Sequence, residues 1–221
     1  IYSDIRQTKL PQDGGNVFTT IDLVIQDILQ RTVSETVTQY KAKWGTGIVI
    51  DPWTGEILAM CSTPEFDPNA YSTTPIENMN NYAITSPYEP GSVFKPIIAA
   101  AAVDAGVVSY RTQIFCENGV YHAAKGGRIS DHGNSYGTIS VETGIVKSSN
   151  IMMAKIGEKL GNTRLYKILA NWGLGQETGI DLPLESKGIV RELRKWDGYS
   201  TRRVPFGQEI GTTSIQLAMA F

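Results

Sequence analysis

Tyr88-Glu89-Pro90-Gly91-Ser92-Val93-Phe94-Lys95-Pro96 reads as a tight turn that opens directly into a helix. Pro90-Gly91 supplies the turn chemistry. From there Val93, Phe94, Ile97, Ile98, Ala101, Ala102 and Ala105 recur at helical spacing, with a long alanine tract. Pro96 lies close enough to the start that its missing N–H costs little, although it would break a helix interior. Ser92 is therefore expected at a helix N-terminus, with Lys95 three residues on and on the same face.

That pairing has a chemical use. A serine hydroxyl is a weak nucleophile until a base takes its proton. A lysine serves as that base only when burial or a neighbouring cation pulls its pKa well down. The helix N-terminus adds partial positive charge, which favours an alkoxide and disfavours an ammonium. Alone, Ser-x-x-Lys has a commoner meaning, a serine that caps a helix beside a solvated lysine. The rest of the chain decides between the two.

The chain has 221 residues, 41% apolar and 19% charged, which describes an ordinary globular protein with a sizeable core. A formal net charge of −2 leaves no electrostatic footprint for nucleic acid or an anionic membrane. Cys61 and Cys116 are too few for a disulfide framework and have no metal-ligand spacing; they are free and buried, or form one bridge. A histidine-based triad or zinc site would have to use His122 or His132, and no acid pairs with either at motif spacing. No apolar run is long enough to span a membrane, and no signal peptide is present. The chain starts abruptly at Ile1 and stops at Phe221 inside an apolar, helix-like run, so it reads as a fragment.

Residues 1–16, polar with Pro11 and Asp13-Gly14-Gly15-Asn16, read as a linker or the end of a preceding module. Thr19-Thr20-Ile21-Asp22 predicts a threonine-capped helix start, and apolar residues from Ile21 to Tyr40 follow at helical spacing, as if to pack on a sheet. Thr46–Ile50 and Glu56–Cys61, separated by Asp51-Pro52-Trp53-Thr54-Gly55, predict a β-hairpin covered on both faces. Residues 62–91 are loop-rich, and residues 107–137 predict short strands and loops. Thr138-Ile139-Ser140-Val141-Glu142 predicts a helix start, and Ile151 to Leu160 a further helix closed by Gly161. Ser148-Ser149-Asn150 thus falls on a short connection between two helices, where capping alone would account for it. Another short helix spans Asn162 to Trp172, and a last one begins near Thr212-Thr213. The basic run Arg191, Arg194, Lys195, Arg202 and Arg203 reads as a solvated face.

Ser-x-x-Lys on a helix start, followed by Ser-x-Asn between helices, is two-thirds of the constellation of penicillin-binding proteins and serine β-lactamases, whose third element is Lys-Thr-Gly. The nucleophile stretch resembles that of class B penicillin-binding proteins, the monofunctional peptidoglycan transpeptidases. Thr20-Ile21-Asp22-Leu23, Ile50-Asp51-Pro52 through Met60, Thr178-Gly179-Ile180-Asp181-Leu182-Pro183, Gly207-Gln208 and Thr213 to Ala218 resemble that family in the same order. Lys-Thr-Gly is absent; Glu142-Thr143-Gly144 and Glu177-Thr178-Gly179 lack the lysine. In relatives the third motif follows the helix on which this chain stops, so its absence reads as truncation.

The resemblance implies an α/β fold of the α+β type, an antiparallel sheet flanked by helices, with the C-terminal strands missing. Residues 17–221 would form an incomplete transpeptidase domain. It implies Ser92 as nucleophile, Lys95 as its proton acceptor, Ser148 as the relay to the leaving amine and Asn150 as the binder of a substrate backbone amide. No cofactor or metal is called for. The implied partners are D-Ala-D-Ala stem peptides, β-lactams as covalent inhibitors, and membrane proteins of division or elongation. The implied location is outside the cytoplasmic membrane, anchored by an N-terminal helix that this chain lacks. The same constellation serves β-lactamases, carboxypeptidases and β-lactam sensors. The alternative of a different class is a non-catalytic scaffold, which a full-length protein without Lys-Thr-Gly would support.

Overall fold

Asp22, not a threonine, starts the first helix, α1 (Leu23–Tyr40). Its carboxylate accepts the N–H groups of Val24 and Ile25 at 2.9 and 3.0 Å, satisfying donors that lack an intrahelical partner. Thr20 does different work: its hydroxyl donates to the Ile57 carbonyl at 2.6 Å and ties the helix entry to the neighbouring strand. The structure is a computed structural model describing residues 12–123, 127–133 and 135–221. The linker expected over residues 1–16 lies outside the described residues except for 12–16.

The hairpin forms as expected. β1 (Gly45–Ile50) pairs antiparallel with β2 (Ile57–Thr63), Gly47 opposite Cys61 and Val49 opposite Ala59. Asp51 holds the turn by accepting the Trp53 N–H at 2.7 Å. α1 packs on one face, where Gln26 bonds both the N–H and the carbonyl of Met60. On the other face Ile48, Ile50, Ile57 and Met60 pack against Ala83, Ile84 and Ile215. Both faces are covered, yet every β1 residue stays only half-buried, because two strands alone present open edges.

The loop-rich stretch 62–91 holds short 3₁₀ turns and one short helix, α2 (Tyr82–Thr85). Next come a 3₁₀ turn over Gly91–Phe94 and α3 (Lys95–Asp104), with Pro96 in its first turn. Three short strands follow, β3 (Gln113–Phe115), β4 (Val120–Ala123) and β5 (Gly127–Ser130), the last two paired with each other. β6 (Thr138–Ser140) pairs antiparallel with β3. This corrects the helix start expected at Thr138: the helix α4 (Val141–Val146) begins later, capped by Ser140, whose hydroxyl accepts the Thr143 N–H at 3.1 Å. Three residues carry too little period to announce a strand, and its partner lies far back in the chain.

α5 (Asn150–Asn171) is broken at Gly161, which takes φ +73 and divides it into the two helices expected. Its first half is the spine of the main core: Ile151, Met152, Met153, Ile156 and Leu160 pack with Phe94, Ile97, Ile98 and Ala102 of the Ser92 turn and α3. Each of the isoleucine, methionine, leucine and phenylalanine side chains, when fully buried, contributes about 1.5–3 kcal/mol of transfer free energy. α6 (Gly198–Arg203) crosses close to α5, where a Cβ on Gly157 would lie 2.2 Å from the Thr201 carbonyl oxygen. The last helix, α7 (Ser214–Ala220), is capped by Thr213 in a reciprocal box with Gln216. No helix among the described residues is long and apolar enough to cross a membrane.

The basic run is not simply a solvated face. Arg191 pairs with Glu209, Arg194 and Lys195 with Glu192, and Arg202 with Glu158. Arg203 has no carboxylate partner among the described residues; its guanidinium lies 5.2 Å from the Tyr199 ring centre. Both cysteines are buried and free.

Candidate active site

The turn that presents Ser92 is held from outside its own helix. Tyr88 and Thr212 exchange backbone hydrogen bonds at 3.0 and 2.9 Å, and the Gly91 N–H donates to the Gly207 carbonyl at 3.0 Å. The Glu89 carboxylate accepts the Glu209 N–H at 2.8 Å. Glu209 in turn pairs with Arg191 and accepts the buried Ser200 hydroxyl at 2.9 Å. The segment 207–212 is thus a prop under the turn that carries Ser92.

Gly207 makes that contact possible. It sits at φ +78, and a Cβ there would lie 2.2 Å from the Gly91 carbonyl oxygen and 2.6 Å from its nitrogen. Gly207→Ala would meet both the left-handed strain and a clash with backbone that has no rotamer to yield. It is expected to lower the unfolding free energy by about 3 kcal/mol, read from a urea melt. An unchanged midpoint would show that the two turns do not depend on this approach.

Ser92 is exposed at the open end of the 3₁₀ turn, and the Lys95 N–H closes that turn on the Ser92 carbonyl. Lys95, one turn along, is only 2% exposed. Its Nζ lies 2.6 Å from the Ser148 carbonyl oxygen and 2.9 Å from the Ser148 hydroxyl. Burial pushes its pKa down to about 8, against the Asp131 carboxylate, which pulls it up. A solvated lysine, the commoner meaning of the motif, is therefore not what the fold makes here.

Ser148 can present both oxygens to one amine because it adopts φ +54, a strained conformation for a serine. The two neighbouring residues keep it there. Ser149 is the N-cap of α5 and fully buried, and its hydroxyl accepts the Met152 N–H at 3.1 Å. The same hydroxyl donates to the Asp131 carboxylate, whose oxygens lie at 3.1 and 2.9 Å. Asp131, 7% exposed, also accepts the Ile151 N–H at 3.1 Å. A carboxylate at a helix N-terminus is favoured by the dipole as well as by these bonds. The Asn150 amide donates to the Ser130 carbonyl at 3.1 Å, which leaves its own carbonyl oxygen without a partner among the described residues.

The four residues singled out in the sequence thus fall on two turns. Lys95 and Ser148 are in contact, Ser92 lies one helical turn from Lys95, and Asn150 starts the helix two residues beyond Ser148. Sequence reasoning missed Asp131, Ser149 and the Glu89–Glu209 link. Glu89 lies inside the Tyr88–Pro96 stretch, but its partner Glu209 is 120 residues further along the chain. Asp131 sits in a weakly patterned segment of short strands and loops, with no motif spacing to mark it. His122 and His132 are both exposed. Among the described residues no cluster of carboxylate, histidine and cysteine side chains converges to hold a metal.

Comparison with known proteins adds a lineage. The family described as penicillin binding protein transpeptidase domain matches residues 45–221. The chain is 30% identical over 218 residues to a probable peptidoglycan D,D-transpeptidase, PenA, of Neisseria gonorrhoeae, covering 99% of this chain and 37% of that protein. It is 30% identical over 221 residues to the peptidoglycan D,D-transpeptidase FtsI of Escherichia coli, covering 100% of this chain and 37% of that protein. It superposes on the TP domain of penicillin-binding protein 3 from Burkholderia pseudomallei with a TM-score of 0.81 and 29% identity, over 91% of this chain and 56% of that one. The chain therefore spans a little over a third of the length of these curated relatives.

Proposed function

This chain belongs to the penicillin-binding protein transpeptidase family, and we propose that the protein carrying it cross-links peptidoglycan stem peptides through a serine acyl-enzyme. One observation carries the reading: the buried Lys95 amine, lowered to about 8, bonded to Ser148 and one helical turn from the exposed Ser92 hydroxyl. Such an amine is a usable base near neutral pH, where a solvated lysine is not.

In the first half-reaction Ser92 Oγ attacks the penultimate D-alanyl carbonyl and its proton passes to Lys95. The Ser92 N–H, at the open end of its turn, is one donor to the developing oxyanion. Ser148 carries the proton on towards the departing D-alanine amine. As the C–N bond breaks, Ser92 is left esterified. Asn150 holds a substrate backbone amide through its free carbonyl oxygen. In the second half-reaction an amine of a neighbouring stem attacks the ester, its proton returns through Lys95 to Ser92 Oγ, and the cross-link is released. β-Lactams enter the same path and stop at the acyl-enzyme. On this reading the domain works outside the cytoplasmic membrane, anchored by an N-terminal helix and in company with membrane proteins of division or elongation.

The test is an intact mass of the full-length protein after incubation with benzylpenicillin, followed by peptide mapping. One added drug molecule on Ser92 is expected. An adduct on any other residue, or none, would overturn the assignment.

A further inference from the structure

Two arginines stand beside Asn150 with no acid paired to them among the described residues. Arg203, at the end of α6, stacks its guanidinium over the Tyr199 ring. Arg128, on β5, is exposed. Among the described residues neither forms an ion pair, whereas Arg191, Arg194, Lys195 and Arg202 of the same basic run all do. Both arginines line a cleft of about 180 Å³ together with Asn150 and Gln208, over a floor of Ile129 and Phe206, and no carboxylate lines it.

The place of the cleft matters as much as its charge. Asn150 forms one wall. Phe206 and Gln208 flank Gly207, whose backbone touches Gly91 immediately before Ser92. A substrate reaching Ser92 past Asn150 therefore passes this cleft. The close crossing of α6 over α5 at Gly157 sets Arg203 there, and a Cβ on Gly127 would lie 3.9 Å from the Arg203 guanidinium, which brings Arg203 against the strand of Arg128. A guanidinium fork matches a carboxylate in two parallel hydrogen bonds, and a cleft lined by one sign of charge concentrates the opposite sign. Two like charges facing one cleft repel until an anion lies between them.

We propose that Arg128 and Arg203 form an anion subsite beside Asn150 that takes a carboxylate borne on a side branch of the peptide substrate. The inference rests on the transpeptidase reading and adds a specificity element to it. The carboxylate belongs to the peptide's second residue or to the side chain of its third.

The probe pair is benzylpenicillin and carbenicillin, which differ by one carboxylate on the acyl side chain. Acylation rates of the full-length protein by each are compared with those of Arg128→Gln, Arg203→Gln and the double variant. The carbenicillin-to-benzylpenicillin ratio is expected to fall about tenfold in the double variant, with benzylpenicillin acylation preserved as the sign of an intact fold. Arg128→Gln changes an exposed strand residue and carries the test alone if Arg203→Gln does not fold. Arg31→Gln, on the surface of α1, is the control for long-range charge and is expected to leave the ratio unchanged. An unchanged ratio in the Arg128 and Arg203 variants, or an equal fall with Arg31→Gln, would overturn the subsite alone. A wild type acylated by neither drug would overturn the transpeptidase reading and the subsite with it. Donor peptides with free or amidated carboxyl groups at the second residue and at the third-residue side chain then assign the source. An arginine-dependent preference for the free acid at one position supports the proposal and names the branch; none at either overturns it.

Discussion

Lys95→Met slows acylation by benzylpenicillin about 10³-fold while leaving the fold at least as stable at pH 7. The first half of that expectation follows from the role proposed for the amine, which is to take the Ser92 hydroxyl proton at neutral pH. The second follows from burial. Lys95 is 2% exposed, so its charged form loses hydration with no carboxylate in direct contact. A methionine of similar length leaves that penalty out, and the Ser148 hydroxyl it abandons is on an exposed residue that water can reach.

The pH dependence separates the two effects. The folded-state pKa of about 8 lies below the unfolded value of roughly 10.4. Below pH 8 both states hold the proton and the folded state bears the full penalty. Between about pH 8 and roughly 10.4 only the unfolded state stays protonated, so wild-type stability rises with pH through that window. The methionine variant should lack this rise, so its advantage over wild type shrinks from pH 7 to pH 10 in urea melts. Wild-type acylation should climb as pH rises through about 8. Acylation near the wild-type rate in Lys95→Met would end the assignment of Lys95 as the base.

Asp131→Ala is the second large effect. The carboxylate accepts from the buried Ser149 hydroxyl and the Ile151 N–H, and its loss leaves both donors in a site closed to water. The expected cost is about 3 kcal/mol of stability. The turn that holds Ser148 at φ +54 loses its brace, so acylation should fall about 10²-fold, the penalty of displacing a reacting group by about 1 Å. Asp131→Asn tells positioning from bulk stability. It keeps acceptor geometry but removes the charge that pulls the Lys95 pKa up. Its acylation profile should therefore move to lower pH, below the wild-type midpoint of about 8. A profile that stays in place would mean that Asp131 acts on the fold alone.

Much of this arrangement is legible locally. The periodicity of residues 21–40, the punctuation of the hairpin at Asp51–Gly55 and the break at Gly161 are written in neighbouring residues, and the elements form there. The misreadings share one cause. Thr20 reads as a cap until Ile57 takes its hydroxyl, and Thr138–Ser140 reads as a helix start until β3 pairs with it. In each case a partner distant in the chain overrides the local preference.

By itself, then, the sequence determined where Ser92 and Lys95 lie relative to each other, because one helical turn sets their spacing whatever surrounds them. It also determined the family, because the motifs occur in a linear order. Only the tertiary structure decided that the Lys95 amine has a depressed pKa, since desolvation depends on what packs over it. Only it singled out Asp131 among the acids and Arg128 and Arg203 among the cations. Whether a charge is buried, paired or left facing a cleft is a property of neighbours brought together by folding, and no window of sequence contains them.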